Sequence, residues 1–100
     1  MKIAILGSGG REHALTFSIS KSNKIKKIYC IPGNAGTSEL AENISLDINN
    51  FKTIYHFLKK NNIDFVVVGP EDPLVNGIVN YLEKLNVKFF GPNKIASQLE

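Results

Sequence analysis

Residues 1–20 read MKIAILGSGGREHALTFSIS, and the middle of this stretch decides the fold. Lys2 to Leu6 is a short apolar run that suits a buried strand. Gly7, Gly9 and Gly10 follow, three glycines in four positions. Glycine lets the chain turn tightly and brings the backbone close to a neighbour or a ligand. From Arg11 to about Ser20 the pattern turns helical, with Ala14, Leu15 and Ile19 expected on one side. Strand, glycine turn and helix in direct succession are the opening of a strand–helix–strand unit.

The rest of the chain repeats that alternation. Lys27 to Ile31 reads as a second strand, and residues 32–42 (PGNAGTSELAE) as a loop with one helical turn near its end. Asn43 to Leu46 is expected to form a short edge strand. Phe51, Ile54, Tyr55 and Leu58 fall at i, i+3, i+4 and i+7, the stripe of an amphipathic helix, with Asn50 as its N-cap. Ile63 to Val68 is the most apolar strand. Val66, Val67 and Val68 in succession imply burial on both faces, as at the centre of a parallel sheet. Val75, Ile78, Val79 and Leu82 mark a further helix, with Asp72 suited to cap it and Pro73 to its first position. Val87 to Phe90 is the expected last strand, and Asn93 can cap another helix. This order predicts right-handed crossovers and a Rossmann-like open parallel sheet of about five strands with helices on both faces, an α/β fold.

Composition agrees with one domain. One hundred residues, 43% apolar and 21% charged, suit a single folded core and argue against disorder. No apolar run is long enough to span a bilayer, so no membrane association is expected, and MKIAIL reads as a strand and not as a signal peptide. The single cysteine, Cys30, lies inside IYCIP and reads as a small buried strand residue; the absence of a disulfide framework fits a reducing, cytoplasmic setting. The net charge of +3 comes mostly from scattered lysines, densest at Lys21, Lys24, Lys26 and Lys27. That cluster suits an exposed helix end. Without interleaved aromatics or a reading motif it gives no reason to expect a nucleic-acid partner. The chain has a single arginine, Arg11, and it sits in the glycine turn.

In an open parallel sheet, ligands bind at the carboxyl ends of the strands, near the point where strand order reverses. Four unusual stretches follow the strong strands: GSGGRE, PGNAGT, GPEDP and GPN. The opposite rim receives plain connections, KSNKIKK, KKNN and KLN. This asymmetry marks one rim as a site. In the first turn, Gly9 and Gly10 allow close approach, and the helix that follows offers free N–H groups and a positive dipole end to an anion. Arg11 adds a fork suited to phosphate or carboxylate. A tight strand-to-helix turn with no ligand remains the plainer reading of the same glycines.

A dinucleotide fits poorly. Its fingerprint, G-x-G-x-x-G, is matched by Gly7 and Gly9, but Glu12 stands where the last glycine belongs. The second strand ends in Tyr29, Cys30, Ile31 and Pro32, without the acid that takes the ribose. The G-K-[ST] ending of a triphosphate loop is also missing. Glu12, Glu71 and Asp72 are expected to face the rim. Carboxylates accept hydrogen bonds, so sugar hydroxyls are natural partners for Glu12 and Glu71. Asp72 has two readings, N-cap or ligand contact. His13, in the first helical turn, is read as packing or bonding locally. Cysteine and histidine are too few for a zinc site, no nucleophile-plus-base pair is visible, and neither a catalytic nor a metal-ligating residue is assigned. Gly77, inside a helix, has a close approach of that helix to the sheet as one explanation, ahead of a ligand contact.

GSGGREHAL, PGNAGT, VGPEDPLVNGIV and FGPNKIASQLE, in this order and spacing, resemble the N-terminal domain of the phosphoribosylamine–glycine ligases (glycinamide ribonucleotide synthetases). The resemblance runs from Lys2 to Glu100, and GGREHA with PGNAGT downstream is its most specific part. It implies a pre-ATP-grasp domain over residues 1–100, followed by ATP-grasp and C-terminal domains that this chain lacks. It implies that the complete enzyme joins glycine to 5-phosphoribosylamine in purine biosynthesis. ATP is cleaved to ADP and phosphate, with magnesium, and glycine is activated as an acyl phosphate. Glycine, ATP and magnesium then belong to the missing domains, and the isolated domain is expected to be inactive. The substrate contacts carried over are Gly9, Gly10, Arg11, Glu12, Pro32, Gly33 and Asn34, with Gly69, Pro70, Glu71 and Asp72 opposite.

Two other readings compete. One is a stand-alone Rossmann-like nucleotide-binding or regulatory module, which micromolar NAD(P) binding would favour. The other is a different ATP-grasp carboxylate–amine ligase, against which PGNAGT discriminates.

Overall fold

A computed structural model describes residues 1–7, 10–33, 35–47, 49–68 and 76–90; for 10–13, 15, 68, 76 and 90 it describes the backbone alone. The elements run β1 (Lys2–Gly7), α1 (Gly10–Ser20), β2 (Lys27–Pro32), a 3-10 turn (Thr37–Glu39), β3 (Glu42–Asn43), α2 (Phe51–Lys60), β4 (Phe65–Val68), α3 (Asn76–Glu83) and β5 (Phe89–Phe90). All five strands are parallel, in the order β3-β2-β1-β4-β5. The expected open α/β sheet is therefore present.

The path along the sheet explains its two helix layers. From β1 the chain moves through β2 to β3 on one side, then crosses back to β4 and β5 on the other. Crossovers of one hand that advance in opposite directions place their helices on opposite faces. The core divides accordingly. Ile3 and Ile5 of β1, Ile28 and Cys30 of β2, and Phe65 and Val67 of β4 form one buried cluster with Ile19 of α1. Ala4, Leu6, Tyr29, Ile31 and Val66 form the other, with Ile54 and Leu58 of α2 and Ile78 and Leu82 of α3. Alternate residues of each central strand thus face opposite layers, as a period of two requires. Val66 and Val67 are both fully buried, one in each layer.

The helix starts and stops follow local chemistry. Asn50 caps α2 as expected, its Oδ1 accepting from the Thr53 N–H at 3.3 Å. The α2 and α3 helices end alike. Asn62 (φ 54°) and Asn86 (φ 64°) adopt the left-handed conformation just past each helix. The next N–H then reaches back to a helix carbonyl, Ile63 to Leu58 at 3.0 Å and Val87 to Leu82 at 3.1 Å. This is the Schellman closure, with asparagine in place of the usual glycine.

It also corrects two strand starts. Ile63 and Val87, expected to begin strands, complete helix ends instead, and β4 and β5 begin at Phe65 and Phe89. The edge strand is Glu42–Asn43 and does not extend to Leu46. In α1, Ala14 is exposed and does not share the buried side; Thr16 and Ile19 occupy it. Gly77 approaches α2 and not the sheet: a Cβ there would lie 3.1 Å from Cζ of Phe51. The proposed caps Asp72 and Asn93 lie outside the described residues.

Cys30 is fully buried, with its Sγ 3.5 Å from Oγ1 of Thr16 on α1. A thiol so enclosed is chemically inert until the domain opens. We expect a thiol reagent to leave native protein unmodified and to label one equivalent after unfolding. Labelling at the same rate in both states would contradict this packing. Among the described residues, no helix is long and apolar enough to cross a membrane.

Candidate substrate-binding rim

The strand order reverses between β1 and β4, so the carboxyl ends of these strands define the crevice. Pairing aligns the loops that leave them. Leu6 stands opposite Ile31 of β2 and Val68 of β4, and Gly7 stands opposite Pro32. The strand ends Gly7, Pro32 and Val68 therefore lie at about one level on one rim. Phe90 pairs with Val67, which brings the end of β5 to the same side. At the other rim Lys2 and Asp64 are doubly linked: the Lys2 N–H donates to the Asp64 side-chain Oδ2 at 2.7 Å, and the Asp64 N–H donates to the Lys2 carbonyl at 2.8 Å.

Two predicted loops are joined directly. Gly7 closes β1 with φ 130°, and its carbonyl accepts from the Gly33 N–H at 3.2 Å. Pro32 ends β2, and the Ile31–Pro32 peptide is cis. Gly33 is left-handed, with φ 78°. α1 starts at Gly10, so Gly10, Arg11 and Glu12 form its first turn, where backbone N–H groups lack helical acceptors. The structure thus brings Gly10, Arg11 and Glu12 to the same rim as Pro32 and Gly33. Gly9, Asn34, Gly69, Pro70, Glu71 and Asp72 lie outside the described residues.

Two further residues of this rim are not evident from the sequence. Thr37, wholly buried, donates its hydroxyl hydrogen to Asn43 Oδ1 at 2.8 Å. The Asn43 carboxamide fills the space where a side chain on Gly33 would stand. Their only signal in the sequence is modest: a threonine ending PGNAGT and an asparagine opening the expected edge strand.

A cleft of about 450 Å³ opens elsewhere, between Ser20 at the end of α1, Lys26 and Lys27 before and in β2, and Glu39 and Glu42. Lys27 pairs there with Glu42 at 3.1 Å. None of the predicted site residues lines it.

Comparison with known proteins identifies the family. Residues 1–100 match the family described as Phosphoribosylglycinamide synthetase, N domain. The phosphoribosylamine–glycine ligase of Caldanaerobacter subterraneus subsp. tengcongensis is 45% identical over 100 residues, covering 100% of this chain and 24% of that protein. That of Mesorhizobium japonicum is 47% identical over 100 residues, with the same coverage of 100% and 24%. A crystal structure of phosphoribosylamine–glycine ligase from Thermotoga maritima superimposes with a TM-score of 0.51 at 32% identity, covering 68% of this chain and 15% of that one. The chain spans about a quarter of the length of the curated relatives it matches. With its whole length matched by the family and by relatives more than 40% identical, the chain belongs to the phosphoribosylglycinamide synthetase N-domain family.

Proposed function

We propose that residues 1–100 form the phosphoribosylamine-binding domain of a cytoplasmic phosphoribosylamine–glycine ligase. The observation that supports this most is the junction of Gly7 with Pro32 and Gly33, which ties the end of β2 to the end of β1 just ahead of α1. A sugar phosphate asks for N–H groups and positive charge at one end and for acceptors at the other. The first turn of α1, with Arg11, meets the first need. Glu12 and Glu71 meet the second by accepting from ribose hydroxyls or the amine. Pro32, Gly33 and Asn34 form the adjoining wall, with Gly69, Pro70 and Asp72 opposite.

In this reading the domain binds and orients one substrate. Glycine, ATP and magnesium act on residues of the longer enzyme. Magnesium needs several oxygen ligands held together. Among the described residues no group of three or more carboxylate, imidazole or thiol side chains comes together to hold a metal. Residues 7–14 also lack the lysine and hydroxyl of a triphosphate loop. In this reading no catalytic step is assigned to this chain.

The test is turnover of the full-length enzyme: glycine-dependent ADP release on addition of phosphoribosylamine. A folded enzyme without it would sink the proposal, as would micromolar NAD(P) binding by the domain. Within that assay, Glu71→Ala should raise the KM for phosphoribosylamine about tenfold or more, since a hydrogen bond to a charged group contributes roughly 1.5–3 kcal/mol. Loss of the fold on this substitution would make Glu71 structural and remove it from the site.

A further inference from the structure

Loop 33–37 must hold its shape before substrate arrives if it is to form one wall of the pocket, and the described residues show how it is held. At its start, the Gly33 N–H is tied to the carbonyl of Gly7 at 3.2 Å. Its far end enters the 3-10 turn at Thr37, whose carbonyl accepts from the N–H groups of Leu40 at 3.1 Å and Ala41 at 2.9 Å. A short side-chain link connects these two anchors. Thr37 Oγ1 donates to Asn43 Oδ1 at 2.8 Å. Asn43 in turn abuts Gly33, and Thr37 Oγ1 would lie 3.0 Å from a Cβ placed there.

The backbone beneath Asn43 is fixed independently. Asn43 pairs with Cys30 across β2, and the Ile44 N–H donates to the Cys30 carbonyl at 2.8 Å. β3 is only two residues long, too short to contribute much sheet by itself. Its clear effect is to present Asn43 to the loop. We infer that Thr37 and Asn43 are positioning residues: their hydrogen bond sets the two ends of this loop, Gly33 and Thr37, and through Gly33 the phosphoribosylamine affinity, without touching the reacting atoms. This rests on the proposed substrate-binding role of the rim.

An asparagine suits the position better than an aspartate. Both accept from the threonine hydroxyl, but a carboxylate would place negative charge beside a wall meant for an anionic sugar phosphate. Threonine is required for its hydroxyl; its methyl group is secondary.

The test uses the full-length enzyme with Thr37→Val, Thr37→Ser, Asn43→Ala and the Thr37→Val/Asn43→Ala double variant. Small misplacements at a binding site commonly change rates by factors of ten to a hundred. Thr37→Val and Asn43→Ala should each raise the KM for phosphoribosylamine about tenfold, with the KM for ATP and kcat little changed. Thr37→Ser should retain the wild-type KM. The double variant should be no worse than the poorer single one, because both remove the same bond. Unchanged KM in folded Thr37→Val and Asn43→Ala would overturn the inference, as would an equal rise for every substrate. If Asn43→Ala does not fold, the contrast between valine and serine at Thr37 decides.

Amide exchange separates this inference from the functional reading. Exchange at the Gly33 N–H should quicken about tenfold in Thr37→Val and stay at the wild-type rate in Thr37→Ser. That result stands even if the wild-type enzyme shows no phosphoribosylamine turnover, a failure that would count against the functional proposal. Equal exchange in both variants would overturn the positioning role.

Discussion

Gly33→Ala is expected to destabilise the domain by about 2–5 kcal/mol, the sum of two separate effects. The first is conformational. Gly33 sits at φ 78°, where a residue with a Cβ pays roughly 1–2 kcal/mol. The second is steric. The new Cβ would overlap the Asn43 carboxamide oxygen, lie 2.5 Å from its Cγ, and stand 3.0 Å from Thr37 Oγ1. Overpacking of this kind costs about 1–3 kcal/mol. Neither obstacle can move cheaply, since the Asn43 carboxamide is tied to Thr37 Oγ1 and Thr37 is buried. Urea unfolding of the domain measures the loss as a lower midpoint at constant slope. Gly77→Ala is the matched contrast. Its backbone is helical, and its new Cβ meets only the end of the Phe51 ring, at 3.1 Å. Alanine gains about 1 kcal/mol over glycine inside a helix, so this change should be neutral or stabilising. If the two variants lose stability equally, the close approach at Gly33 is not what holds the loop.

These two glycines also show what could be read from the sequence. Periodicity is a property of neighbours along the chain, and it was sufficient for β1, α2 and the layered burial of Val66 and Val67. Asn50 is equally local, because its cap bond reaches only to Thr53. The rim as a whole was legible because parallel crossovers send every strand's carboxyl end to one side. What escaped depends on contacts across the fold. Gly77 faces α2 because α3 packs beside it, and no pattern within α3 states that. Ile63 and Val87 look like strand residues, yet each is drawn into a helix end by the asparagine before it. Gly7 and Pro32 look like turn residues, yet they pair as the last rungs of their strands. The Thr37–Asn43 bond joins two polar residues of an apparent loop and edge strand, and only the register of β3 on β2 brings them together.

Ile54→Ala should cost the domain about 2–5 kcal/mol, the usual range for emptying a buried isoleucine site. Ile54 is fully buried at the centre of the α2–α3 layer, in one cluster with Leu6, Ile31, Val66, Ile78 and Leu82. Four elements share that cluster besides α2 itself, so no single shift can refill the cavity. Phe17→Ala provides the comparison. Phe17 is 49% exposed on α1 and meets mainly the Lys21 ammonium, 4.3 Å from its ring centre. An exposed contact of this kind contributes about 0.5–1 kcal/mol, so the larger side chain should matter less. Ile54 also tests how the core and the rim are coupled. Leu6 and Ile31 immediately precede Gly7 and Pro32, so a cavity beneath them lies one residue from the proposed pocket. The rim itself is set by backbone pairing of β1 with β2 and by the Gly33–Gly7 bond, both of which survive the substitution. In the full-length enzyme, Ile54→Ala should therefore lower the unfolding midpoint while leaving the KM for phosphoribosylamine unchanged wherever the protein is folded. Thr37→Val should do the reverse, raising KM with a smaller loss of stability. A rise in KM for Ile54→Ala under folding conditions would mean that side-chain packing below the strands, and not their backbone register, sets the geometry of the rim.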